Sequence, residues 1–228
     1  MLQLNNLVIG YKNQPLTAPL SASFTAGRLV TLVGRNGVGK STLLRCLCGL
    51  QPALSGDVVW GDALDEGQRR SLSKMTRKEL ARCVAVVLTH RPNTGMLSVE
   101  DIVSMGRFPY TPISGRLSTA DRQAVDQAIS QCGVEHLRRR VFSSLSDGER
   151  SRVMIAKALA QTTPAILLDE PTAFLDYVAK DEIFSLMHDL AHEARKLIFV
   201  STHDIATAQR FSDEILELTP RGLQPFMK

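Results

Sequence analysis

Residues 29–47 run Leu29-Val30-Thr31-Leu32-Val33, then Gly34-Arg35-Asn36-Gly37-Val38-Gly39-Lys40-Ser41-Thr42, then Leu43-Leu44-Arg45-Cys46-Leu47. The first five residues are apolar or β-branched and predict a strand, and the last five open a helical pattern. The nine between them fit G-x-x-x-x-G-K-[ST] in the strand-before, helix-after context that gives this pattern its meaning. Glycines let the backbone curl so that successive N–H groups face an anion, and the new helix adds unsatisfied N-terminal donors and the positive end of its dipole. Lys40 supplies a point charge worth about 4 kcal/mol against one negative charge at ~4 Å and an effective dielectric near 20. A net hydrogen bond contributes about 1 kcal/mol. A polyphosphate is therefore the natural guest, with the Ser41 hydroxyl available to a Mg²⁺ ion that bridges its outer phosphates.

Outward from this loop, short apolar runs recur at Val58 to Trp60, Val84 to Leu88, Ile166 to Leu168, Leu197 to Val200 and Ile215 to Leu218. They alternate with helix-period stretches, which predicts an α/β core with a parallel sheet. The N-terminus reads as a further strand with Leu2 and Leu4 on one face. Between about Thr89 and Gln161 the pattern changes to successive helices starting at Ser98, Ser118 and Ser146. Ser118 to Asp121 and Ser146 to Glu149 have the Ser-x-x-acid form of a helix start. The chain is thus expected to be one domain of residues 1–228: a core of 1–88 and 162–228, with a helical subdomain of 89–161 inserted. The loop Arg107 to Gly115, rich in proline and glycine, breaks this insertion.

A second chemical feature ends the strand Ala165-Ile166-Leu167-Leu168. Asp169 and Glu170 follow it directly, at the edge where α/β sheets place ligands. Successive strand side chains alternate sides, so the two acids can take different tasks. Asp169 suits the outer shell of a hydrated Mg²⁺, and Glu170 the orientation or deprotonation of an attacking water. The strand Leu197 to Ser201 is followed by Thr202 and His203, and a histidine there can contact a γ-phosphate or hold that water.

Composition narrows the alternatives. No apolar run approaches the ~18–20 residues needed to cross a bilayer, and the N-terminus lacks a basic start and a cleavage site, so a cytoplasmic location is expected. Cys46, Cys48, Cys83 and Cys132 show no CxxC spacing and read as buried reduced thiols. The formal charge of +4 is modest. Its densest part, Arg69 to Arg82, has no aromatic residue for stacking on bases, so a solvated face is expected and no nucleic acid.

Leu145-Ser146-Asp147-Gly148-Glu149, some twenty residues before Asp169, resembles the signature segment of ATP-binding cassette (ABC) proteins. With the phosphate loop, Asp169-Glu170, Phe174-Leu175-Asp176 and His203, the resemblance runs through nearly the whole chain in family order. It implies a P-loop ATPase core with antiparallel N-terminal strands, binding ATP and Mg²⁺. It also implies a homodimer, head to tail around two ATP, in which the signature of one copy completes the site of the other and Asp176 sits in the dimer loop. Tyr11 matches the aromatic residue on which the family stacks adenine. Permease subunits, and indirectly a substrate-binding protein, are implied as partners, with the chain peripheral at the cytoplasmic face of the inner membrane.

Two positions depart from the family pattern. Asp147 and Glu149 stand where the commonest signature has Gly and Gln. After the strand Val84 to Leu88, Thr89 or His90 occupies the place of a glutamine that contacts Mg²⁺, and the Thr89 hydroxyl is the candidate to reach the metal through water. Met105-Gly106-Arg107-Phe108-Pro109-Tyr110 resembles the Gly-Arg-x-Pro-His segment of importers of iron-siderophore, haem and cobalamin, with Tyr110 replacing histidine. A motor for such an importer is the expected function. The competing expectations are an ABC ATPase importing another substrate, a non-transport nucleotide switch acting on nucleic acid or ribosomes, and a binding module that holds ATP with little turnover.

Overall fold

A computed structural model describes residues 2–61, 70–89, 94–112 and 115–226. The N-terminal part holds strands β1 (Leu2–Val8), β2 (Gly10–Tyr11), β3 (Gln14–Pro15), β4 (Leu20–Phe24) and β5 (Arg28–Val33), then helix α1 (Lys40–Leu47) and strands β6 (Ser55–Trp60) and β7 (Arg70–Ser71). Next come α2 (Arg77–Cys83), β8 (Val84–Val87), α3 (Val99–Ser104), α4 (Thr119–Gln131) and α5 (Asp147–Ala160). The chain finishes with β9 (Ala165–Asp169), α6 (Tyr177–His192), β10 (Leu197–Ser201), α7 (Ile205–Phe211), β11 (Glu214–Thr219) and β12 (Gly222–Pro225).

Two sheets form the frame, beside the two-stranded β2–β3 hairpin. The larger has the order β12-β11-β5-β10-β9-β8, and all its neighbours are parallel except β11 and β12. Strands β9 and β10 are buried along their whole length and β5 is buried from Leu29 onward. This is what continuous runs such as Ala-Ile-Leu-Leu and Leu-Ile-Phe-Val dictate when helices cover both faces. The smaller sheet, β4-β1-β6-β7, is antiparallel. Leu2 and Leu4 face its core together, and Leu7 joins them only because the register slips near Asn6, which adopts φ 47°. One apolar cluster joins this sheet to α1 and the underside of the large sheet, and a second joins the opposite face to α3, α4, α5 and α6.

Between Thr89 and Gln161 the described residues form helices and 3₁₀ turns, with only an isolated bridge between Ser98 and Val141. The three expected serine starts are N-caps: Ser98, Ser118 and Ser146 each accept from the N–H three residues on, while the acid there accepts from the serine N–H. An Asp completes this reciprocal pairing at two of them, where Glu or Gln is the usual partner. Thr76 and Glu79 form the same pair at α2, inside the basic stretch.

The Gly106-Arg107 segment packs against the end of α5. A Cβ on Gly106 would strike the carbonyl of Lys157. The buried Arg107 donates to Asp121 at 2.9 Å, to Ala160 O at 2.7 Å and to Thr162 Oγ1 at 3.0 Å, and its guanidinium lies 4.1 Å from the Tyr110 ring centroid. All four cysteines are free and buried, and burial pushes the thiols of Cys46, Cys48 and Cys83 up to about 11 and that of Cys132 up to about 12. They are protonated at neutral pH, the buried reduced thiols that their spacing implied.

Candidate active site

The site is assembled at the carboxyl edge of the large sheet. Register places Leu32, Ser201 and Asp169 side by side on β5, β10 and β9, and Thr89 follows β8 by two residues. The loop 34–39 leaves β5 and enters α1 through Gly39, the N-cap, at φ 112° with no side-chain cap. A left-handed glycine here leaves the first-turn N–H groups to an anion rather than to a capping oxygen. Gly34 is required for space, since a Cβ there would lie 2.7 Å from the carbonyl of Leu218.

Lys40 is buried, with Nζ donating to Gly34 O at 2.9 Å and standing 3.8 Å from Glu170 Oε1. Ser41 Oγ donates to Asp169 Oδ1 at 2.9 Å, and Ser201 Oγ donates to the same oxygen at 2.7 Å. Glu170 adopts φ 51°. That conformation costs a non-glycine residue about 1–3 kcal/mol and persists only where neighbours fix it. Its N–H donates to both the carbonyl and the hydroxyl of Ser201, each at 3.1 Å. The other side of the same peptide group, the carbonyl of Asp169, accepts from Thr89 Oγ1 at 2.8 Å. Glu170 Oε2 then meets His203 Nδ1 at 2.9 Å.

Tyr11 and the loop share one cavity of about 440 Å³, lined by Tyr11, Leu16, Asn36, Gly37, Gly39, Lys40, Ser41, Thr42 and Glu170. Tyr11 ends the first strand of the β2–β3 hairpin, whose turn residues Lys12 and Asn13 take φ 47° and 63°. Its hydroxyl hydrogen-bonds Thr42 Oγ1 at 2.9 Å, leaving about half of the residue exposed beside the loop. Arg35 lies outside this lining and contributes its carbonyl to Lys40 at 3.5 Å, while Val38 packs on the core. Thr89 is likewise outside it, with its hydroxyl turned to the backbone of Asp169. His90 lies outside the described residues.

Leu145 to Glu149 do not line this cavity either. Leu145 is buried, and Ser146 caps α5 beside a separate cavity that includes Gly148, Glu149 and Ala179. The two acids that depart from the family pattern are both engaged. Asp147 lies 3.6 Å from Arg150, and Glu149 turns back to accept from Ser146 N at 2.7 Å with Arg140 at 3.7 Å. The Ser146 N–H, with its hydroxyl and Arg140, holds the Glu149 carboxyl below its ordinary value. Asp176 caps α6 by accepting from Ala179 N at 2.8 Å, and exposed Phe174, Tyr177 and Val178 surround it. Sequence reasoning missed Ser201, a strand-ending serine with no local mark; only its register against Asp169 reveals it.

A strand, a glycine loop closing on a helix, a buried lysine and an acid pair on a neighbouring strand define a P-loop nucleotide-binding protein. Residues 17–173 match the family model for ABC transporters, and the chain belongs to that family as an ATP-binding subunit. It is 35% identical over 217 residues to the iron(3+)-hydroxamate import ATP-binding protein FhuC of Bacillus subtilis, covering 95% of this chain and 78% of that protein. It is 37% identical over 223 residues to the hemin import ATP-binding protein HmuV of Bordetella pertussis, covering 94% and 81%. A solved dimeric post-hydrolysis state of the ATP-binding cassette MJ0796, bound to ADP and Pi, matches with TM-score 0.80 and 26% identity over the full length of both chains.

Proposed function

We propose that this chain is the ATP-hydrolysing motor of an importer for an iron chelate, haem or cobalamin, working as a head-to-tail dimer on permease subunits. The observation that carries the reading is the line Lys40, Glu170, His203, with Glu170 3.8 Å from one and 2.9 Å from the other at the mouth of the phosphate loop. A carboxylate so held can orient a water toward the terminal phosphate and take its proton, while Lys40 and the α1 N–H groups hold the phosphates. His203 faces that carboxylate and steadies it. Tyr11 offers its exposed ring to the base.

The donors at the strand end fit Mg²⁺, because Ser41 and Asp169 present hard oxygens side by side, 2.9 Å apart. When bound, the ion would neutralise phosphate charge and draw the outer phosphates together. We assign Thr89 to holding the Asp169–Glu170 peptide rather than to the metal contact its sequence position suggests, since its hydroxyl is given to the Asp169 carbonyl.

The signature supplies its serine and the start of α5 to the partner's phosphates. Its absence from the chain's own phosphate cavity supports that exchange, as does the exposed apolar cluster around Asp176. At its other end α5 borders a groove between α1, α2 and the 3₁₀ turn Met105–Arg107, where Leu50 and Phe108 are exposed. We place the permease there. One rigid helix of 14 residues, about 21 Å at ~1.5 Å per residue, then links its docking to the signature. Residues 89–161 act in this scheme as a helical subdomain on the core of 1–88 and 162–228. Among the described residues no helix is long and apolar enough to cross a membrane. Attachment through the permease at the cytoplasmic face belongs to this proposal, supported by the import role in the relatives' names.

The cargo class rests on the relatives' names and on the 105–110 segment. Replacing Glu170 with Gln tests the catalytic assignment: it should abolish turnover and let Mg-ATP shift the protein from monomer to dimer on size exclusion. Hydrolysis at the wild-type rate would remove Glu170 from the reaction.

A further inference from the structure

A cluster unrelated to the nucleotide site lies at the C-terminal end of α6. His188 and His192 stand one helical turn apart, with ring centroids 4.3 Å apart and planes inclined by 36°. Asp213, on the turn between α7 and β11, brings Oδ2 to 3.1 Å from His192 Nε2. One ligand atom from each of the three residues lies within 4.8 Å of the others. We infer that these residues bind a divalent first-row transition cation, for which Zn²⁺ is the probe.

Residues four apart on a helix share a face, so the two imidazoles converge without distortion. Two imidazole nitrogens and one carboxylate form a donor set suited to Zn²⁺ and its transition-metal neighbours, whereas Mg²⁺ prefers all-oxygen sites. The partial exposure of the three residues leaves a fourth position for water. The supporting shell is also built: Asp213 Oδ2 accepts from the Leu29 N–H at 2.7 Å, and His188 Nδ1 lies 3.5 Å from Asp189. Such outer contacts orient metal ligands before the ion arrives. A bound ion would tie α6 to the turn before β11, and through Asp213 to the start of β5, the strand that carries the phosphate loop. The simpler role of a His192–Asp213 ion pair at a helix end leaves His188 without a function, and His188 separates the two readings.

The test is Zn²⁺ titration of the full chain, free of any histidine tag, by calorimetry and thermal unfolding, with millimolar Mg²⁺ present and no nucleotide. One saturable equivalent of micromolar affinity is expected, with a rise in unfolding temperature, because an ion bound only to the folded state stabilises it. His188→Ala and His192→Ala should each weaken that affinity at least tenfold while unfolding near the wild-type temperature without metal. Absence of saturable binding, or affinity unchanged in either variant, would overturn the site.

Discussion

The Thr89 hydroxyl donates to the backbone carbonyl of Asp169 at 2.8 Å and so fixes one side of the peptide group whose other side carries Glu170. Ser201 fixes that other side twice. The left-handed backbone of Glu170 is thus held by two neighbouring strand ends, which explains how a strained residue can present its carboxylate in one orientation.

Thr89→Val removes the donor at nearly constant volume. With one hydrogen bond contributing about 1 kcal/mol, kcat should fall about fivefold while the KM for ATP changes less than twofold. Thr89→Ser should restore the rate. Steady-state hydrolysis of the three proteins measures this, and equal kcat values would assign Thr89 no part in positioning Glu170.

The Arg107–Asp121 pair, covered from water just beneath the surface, ties the 105–110 segment to α4. Arg107→Ala leaves Asp121 to Ser118 alone and should cost about 3 kcal/mol, the low end for a covered pair, read by urea unfolding. The Ser118 hydroxyl, followed by its N–H and by Arg107, holds the Asp121 carboxyl below its ordinary 3.8, and Ser98 does the same for Asp101. A lowered folded-state value means this stabilisation is complete above about pH 4 and is lost as pH falls through the depressed value. Stability should therefore drop below pH 4, and by less in Ser118→Ala, which has already lost part of it. Equal acid sensitivity in the two proteins would contradict the assignment.

Phe108 is 65% exposed on the rim of the groove bordered by the end of α5. Phe108→Asp should leave folding within ~0.5 kcal/mol and ATP affinity unchanged, as expected of an exposed site. Co-purification with the permease should be lost. Retention of the permease by this variant would move the docking surface elsewhere.

The phosphate loop, the acid pair and the serine helix starts were legible because each is local: a glycine spacing, a strand-ending dipeptide, a cap three residues from its partner. Ser201 and the true partner of Thr89 were not, since both depend on which strands lie side by side. Strand β4 was missed because Leu20-Ser-Ala-Ser-Phe24 shows only two large apolar residues, both of which the structure buries. Asp147 and Glu149, which depart from the family pattern, meet Arg150, Arg140 and the helix cap in space, partners that the local sequence does not announce.

The central claim is that each ATP is gripped by the loop of one copy and the signature of another. Lys40→Ala disables the first surface, and Ser146→Arg blocks the second. Mixed in equal amounts and bound to the permease, the two inactive variants should regain ATP hydrolysis, because half-and-half dimers contain one site with both surfaces intact. A mixture no more active than either variant alone would contradict the shared site.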